Sequence, residues 1–165
     1  MKYCKKCLQP DTRPGSNWAS EYQCPACDYH DSLKTIYWPE RLKVLDNILS
    51  DCKKKKQNNT NFDCIIGVSG GKDSTRQALF IRDRLGLNPL LVCMSYPPSQ
   101  VTQLGCDNLS NLIKLGFDIE IIGVSPIVWK KLIKQAFYKF SNWAKATEMA
   151  LFSAVPIIAI KRNIH

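Results

Sequence analysis

Ser69-Gly70-Gly71-Lys72-Asp73-Ser74 stand directly after an apolar run, Cys64-Ile65-Ile66-Gly67-Val68, and directly before a helical pattern expected to start near Ser74. Two adjacent glycines let successive backbone N–H groups point into one concavity, and two hydroxyls flank it. The helix that follows aims the positive end of its dipole at the same spot. The chemistry this suits is phosphate binding, so the chain reads as a candidate nucleotide-binding enzyme. A Walker-type loop is excluded, because it needs four residues between its glycines and a Ser or Thr after the Lys. Here three residues separate Gly67 from Gly71, and Asp73 follows Lys72.

A second constellation is Cys4-x-x-Cys7 with Cys24-x-x-Cys27, sixteen residues apart. Each pair can form a knuckle presenting two thiolates, and four sulfurs close a tetrahedral Zn²⁺ site with no open position, which makes the site structural rather than catalytic. The intervening segment, with Pro10, Pro14 and Gly15, has too little apolar content to fold alone, so metal binding is expected to supply its folding energy. A redox pair or an iron–sulfur cluster are the competing chemistries. His30 is expected at the surface. Cys52, Cys64, Cys93 and Cys106 lack ligand spacing and are expected to be structural, Cys64 and Cys93 as small hydrophobes inside strands.

At 165 residues and 45% hydrophobic, the chain can hold one α/β domain and a small appendage. No apolar run approaches the roughly eighteen residues of a membrane span, and the N-terminus lacks a signal-peptide stretch, so no membrane span and a cytoplasmic location are expected.

The elements that must position these groups follow from period and punctuation. Residues 1–32 form the four-cysteine module, and 33–61 a linking helix and polar loop. In that link Pro39 opens a helix with Leu42, Leu45, Ile48 and Leu49 on one face, and residues 53–61 form an exposed loop. Residues 62–165 then alternate strand and helix. Strands are expected at 64–68, 90–94 and 119–122. Helices are expected from Ser74 to about Leu85 closed by Gly86, from Ser99 to Leu115 closed by Gly116, near 126–140 and near 147–160. Val101, Leu104, Leu112 and Leu115 are expected on the buried side of the second of these helices. The alternation implies an open parallel sheet with right-handed crossovers and ligands at the carboxyl ends of its strands. The end of the second strand, at Met94 and Ser95, should lie beside the glycine loop and could receive an adenine. Trp18, Trp38, Trp129 and Trp143 are expected in core or interdomain packing.

The contiguous Ser-Gly-Gly-x-Asp-Ser resembles the PP-loop of the ATP pyrophosphatases, Rossmann-like proteins that cleave ATP between the α- and β-phosphates. In that chemistry the N–H groups of Gly70, Gly71 and Lys72 and the hydroxyls of Ser69 and Ser74 would hold the departing pyrophosphate. Lys72 would add charge as the leaving group develops, and Asp73 would hold Mg²⁺ or cap the helix.

The combination of Met1–Gly15, Cys24-Pro25-Ala26-Cys27 and the glycine loop, continuing through Asn108–Asp118 and Thr147–Ile160, is similar to the N-acetyl sugar amidotransferases of lipopolysaccharide and flagellin-glycan biosynthesis. That resemblance implies that ATP adenylates the acetamido oxygen of a nucleotide-activated N-acetyl sugar. Ammonia from a glutaminase and a cyclase-like partner then gives an acetamidino group. It also implies a longer protein that continues past Ile160 into a further strand and a Gly-Glu-Asn loop, so the expectation is a truncated or split member with an incomplete sheet. Two alternatives stand beside it. Transfer-RNA thiolation enzymes join a similar cysteine module to the same loop, and a net charge of +9 suits RNA. Against that, a Lys53–Lys56 run is usually a solvated segment, and no cysteine follows Cys106, so a nucleic-acid partner is not expected. The other alternative is an inactive zinc- and partner-binding fragment.

Overall fold

The computed structural model describes residues 1–18, 20–55 and 61–164. The chain divides into two units, Met1–Asn47 and Ile48–His165. In the first, the chain bends back after a short antiparallel bridge of Tyr3 with Pro10 and enters α1 (Pro25–Ser32). Pro25 occupies the first turn of α1, where its missing N–H costs nothing. Helix α2 (Trp38–Lys55) crosses the division between the units.

The second unit is built on a parallel three-stranded sheet, β1 (Cys64–Gly67), β2 (Pro89–Ser95) and β3 (Ile119–Gly123), in the order β1-β2-β3. The central strand reads Pro-Leu-Leu-Val-Cys-Met-Ser, a nearly continuous apolar run, because a parallel strand between two others is covered on both faces. One face packs Ile66, Leu91 and Cys93 against Ala78, Leu112 and Phe117 from α3 (Lys72–Leu79), α4 (Gln103–Lys114) and the turn after α4. The other face packs Leu90 and Val92 against Val155 and Ile158 of α6 (Lys145–Arg162) and against Ile164. Helix α5 (Pro126–Phe140) packs on α6.

The helix ends follow their cap residues. Gly116 and Asn163 both take left-handed backbone, at φ 85° and 57°. The next N–H then reaches back to the helix, Phe117 to Leu112 at 3.3 Å and Ile164 to Ala159 at 2.9 Å, and Ile164 turns under the sheet. Gly86, at φ 64°, ends the helix that continues from α3 as a π-helical turn over Phe80–Arg84.

Several expectations need correction. Helix α3 begins at Lys72, so Lys72 and Asp73 belong to its first turn and not to the loop. Residues 98–100 form a separate 3₁₀ turn, and α4 starts at Gln103, where the Thr102 hydroxyl accepts the Gly105 N–H at 3.2 Å. Val101 lies before this start and is exposed, and so are Leu104 and Leu115; of the four residues expected inside, Leu112 is buried. Leu42 and Ile48 of α2 are exposed as well. Lys53–Lys55 continue α2 instead of opening a loop, and the remainder of that expected loop falls partly on residues 56–60, outside the described residues. Trp129 is buried, but Trp38 and Trp143 are exposed.

Helix α6 is apolar around most of its circumference: Val155 and Ile158 pack on the sheet, while Met149, Phe152 and Ile160 are exposed. Among the described residues no single helix is long and apolar enough to cross a membrane. Helices α5 and α6 meet that test by length and composition only as a pair bent by 118°.

Candidate functional site

In the Met1–Asn47 unit the four cysteines converge. Cys24 is the N-cap of α1, and its carbonyl accepts the N–H groups of Cys27 and Asp28 at 3.0 Å, which turns Cys27 back beside it. On the other knuckle the Leu8 N–H donates to the Cys4 carbonyl at 2.8 Å, with Leu8 itself in left-handed backbone at φ 63°. The four sulfurs lie within 4.8 Å of one another, with Cys4 to Cys27 at 3.8 Å and Cys7 to Cys24 at 3.5 Å. Tetrahedral zinc with its usual sulfur bonds of ~2.3 Å spaces sulfurs about 3.8 Å apart, so this donor set fits one such ion.

The Cys24 N–H also donates to Cys4 Sγ at 3.4 Å. Burial pushes the Cys4 thiol up, but hydrogen bonds from the backbone of Cys24, Cys7 and Lys6 outweigh it and bring it down to about 6. Burial and the neighbouring sulfurs push Cys27 up to about 12. Metal binding to such a thiol set displaces the protons of its sulfurs. Beside it, Asp31 accepts from Lys6 at 2.6 Å, Lys34 at 3.0 Å and Gln23 at 2.8 Å. These donors, Lys6 first, hold its carboxyl well below the usual range. His30 is exposed, as expected, and is not among the cysteine ligands.

In the second unit the glycine loop leaves the carboxyl end of β1 and enters α3, so the helix N–H groups at Lys72, Asp73 and Ser74 lie at the loop. Gly70 is the residue that the geometry requires. Its φ is +76°, and a Cβ there would meet the Asn108 backbone carbon and Cβ, each at 2.8 Å. Gly71 sits in ordinary extended backbone as the N-cap of α3. The loop is braced by its own hydroxyls. Ser74 donates to the Gly71 carbonyl at 3.2 Å, Thr75 donates to the Gly70 carbonyl at 3.2 Å, and Ser69 Oγ accepts the Gly71 N–H at 3.4 Å. Ser69, Lys72 and Asp73 are exposed.

Thr75 and Asn108 are the loop's supports that sequence reasoning missed. A hydroxyl one turn into a helix, able to back-bond to its own N-terminus, was the available signal for Thr75. Replacing Gly70 with Ala should destabilise the second unit by roughly 1–3 kcal/mol, from the left-handed backbone and the clash together. A urea melt of the variant reads this directly, and an unchanged midpoint would show that the loop does not press on α4.

Over the carboxyl ends of β1 and β2 lie two adjoining cavities. One of about 330 Å³ is bounded by Gly67, Ser69, Ser74 and α6 residues including Phe152 and Val155. The other, of about 380 Å³, has Ser69, Cys93, Met94, Ser95 and Tyr96 among its lining residues. Both share Val68, Ser69, Met94 and Leu151. Met94 and Ser95 thus lie beside the glycine loop, as expected. On the far side of the loop an open groove is lined by Gly70, Lys72, Arg76, Arg84 and Asn111. Cys64 and Cys93 lie in strands, and burial pushes both thiols up. Cys52 lies in α2, and Cys106 is exposed on α4.

The four-sulfur cluster can hold one metal ion, and the strand–loop–helix junction presents backbone donors beside a largely apolar cavity. No family model matches the chain, and no curated protein matches it.

Proposed function

We propose that the chain is a PP-loop ATP pyrophosphatase that acts as an amidotransferase on a nucleotide-activated N-acetyl sugar. The observation that carries this reading is the unbroken Ser69–Ser74 motif at the carboxyl end of a parallel strand, where it opens a helix beside a cavity able to take the rest of a nucleotide. The free N–H groups at the start of α3 would receive the phosphates. Asp73, in that first turn, would hold Mg²⁺ against them, and Lys72 would stabilise the pyrophosphate as it leaves. The acetamido oxygen attacks the α-phosphorus, and the bond to pyrophosphate breaks. Ammonia then adds to the imidate carbon, a proton is lost, and AMP departs to leave the acetamidine. Ammonia comes from a glutaminase through a cyclase-like partner, and the four-cysteine module carries a structural Zn²⁺. The sugar and the partners rest on the family resemblance.

The test supplies the chain with Mg-ATP, ammonium ions and nucleotide-activated N-acetyl sugars, and follows products by mass spectrometry. The expected products are AMP, pyrophosphate and a sugar in which NH has replaced the acetamido oxygen. ADP and orthophosphate as products would overturn the reaction class. AMP formation that depends instead on an RNA acceptor would overturn the sugar.

A further inference from the structure

We propose that Tyr96 is the wall that stacks on the base of the nucleotide and carries affinity for it, and that Trp129 is the residue that positions it. This inference rests on the nucleotide reading of the glycine loop. The cavity of about 380 Å³ is lined both by Ser69 of that loop and by Tyr96, just beyond β2. Its walls are mainly apolar, from Val68, Met94, Val101, Leu109 and Leu151. A ligand whose phosphates sit on the loop therefore places a flat, weakly polar portion in this slot, which describes a nucleobase.

Tyr96 is 43% exposed, so much of its aromatic surface stays open. Trp129 of α5 is 3% exposed and meets Tyr96 edge-on, with ring centroids 5.9 Å apart and planes at 81°. Edge-to-face contact fixes one ring without covering its face. The indole N–H of Trp129 is buried and finds no hydrogen-bond partner among the described residues. A buried donor without a partner is a cost to the fold, and here it falls on the residue that braces the open ring. Stacking is tolerant of base identity because every base has a π-face, so discrimination between bases is left to the polar groups near the slot, Ser95, Gln100 and Thr102.

The experiment is calorimetric titration of the full chain with Mg-ATP and, separately, with inorganic pyrophosphate, which reports the loop alone. Tyr96→Leu keeps apolar bulk and removes the π-face, and it should weaken Mg-ATP about tenfold, within the range for one stacked base, while leaving pyrophosphate binding unchanged. Tyr96→Phe should bind both ligands within about twofold of wild type, since the ring carries the effect. Trp129→Leu should weaken Mg-ATP alone, and Trp129→Phe, which keeps an aromatic edge, should restore it. Unchanged Mg-ATP affinity in Tyr96→Leu would overturn the inference and leave the nucleotide reading standing. So would equal loss of both ligands, or wild-type binding of pyrophosphate without ATP. Wild-type protein that binds neither ligand would overturn the nucleotide reading, and this inference with it.

Discussion

With Zn²⁺ in the four-cysteine site as proposed, stripping the metal should unfold the Met1–Asn47 unit while the sheet of the second unit stays folded. The buried side chains of the first unit, among the described residues, are Cys4, Cys24 and Cys27, with Trp18 packed half-buried against them. Its core is therefore the cysteine set itself, and among the described residues no separate apolar cluster remains to hold the knuckles without an ion. Structural zinc sites of this kind carry about 10–16 kcal/mol of apparent binding free energy, which exceeds what so small a unit can store elsewhere.

Chelation should remove amide-exchange protection at Leu8, Cys24, Cys27 and Asp28 and leave Leu91 and Val92 protected. Cys4→Ser should reproduce the chelated state, because one ligand is lost and a hydroxyl enters a fully buried position. Cys106→Ser, on the exposed face of α4, should change nothing. Intact protection in the knuckles after measured loss of the metal would refute a structural role.

The second large effect concerns Asp73. Saturating Mg-ATP at about 100 times its Kd should stabilise the second unit by about 2.7 kcal/mol, or roughly 5–10 °C in melting midpoint for a chain of this length. Asp73→Ala should remove most of that gain in the presence of Mg²⁺. The variant also loses a negative charge from the first turn of α3, worth roughly 0.3–1 kcal/mol without any ligand, so the shift on adding nucleotide is the quantity to compare and not the bare midpoint. Lys72→Ala should separate from it by lowering turnover about a hundredfold with a smaller loss of binding, since its charge acts as pyrophosphate departs. Equal nucleotide-induced shifts in wild type and Asp73→Ala would remove Asp73 from the site.

Strands and turns were legible because their signals are local. The apolar run of β2, Gly86 and Gly116 as helix stops, and Pro126 at the start of α5 each act through a few neighbouring residues. The cysteine cluster was legible because spacing alone constrains two knuckles. What the chain conceals is set by contacts distant in sequence. Asn108 lies far along the chain from Gly70, yet its backbone is what forbids a side chain there. Tyr96 and Trp129 come from different elements, and neither has a local pattern that marks the pair. The start of α4 was misplaced because Pro97 and Pro98 suit a 3₁₀ turn as well as a helix start, and Thr102 then provides the better cap. Exposed Met149, Phe152 and Ile160 could not be told from core residues by type, because α6 is apolar around most of its circumference.

The claim on which the proposed chemistry depends is that the Ser69–Ser74 loop holds the phosphates of ATP. Amide chemical shifts of the isotope-labelled chain, followed while Mg-ATP is added, observe that loop directly. The expected result is saturable shifts at Gly70, Gly71, Lys72 and Asp73 that inorganic pyrophosphate reproduces, with further shifts at Met94–Tyr96 on adding the whole nucleotide. Loop amides that stay unmoved at saturating nucleotide would contradict it.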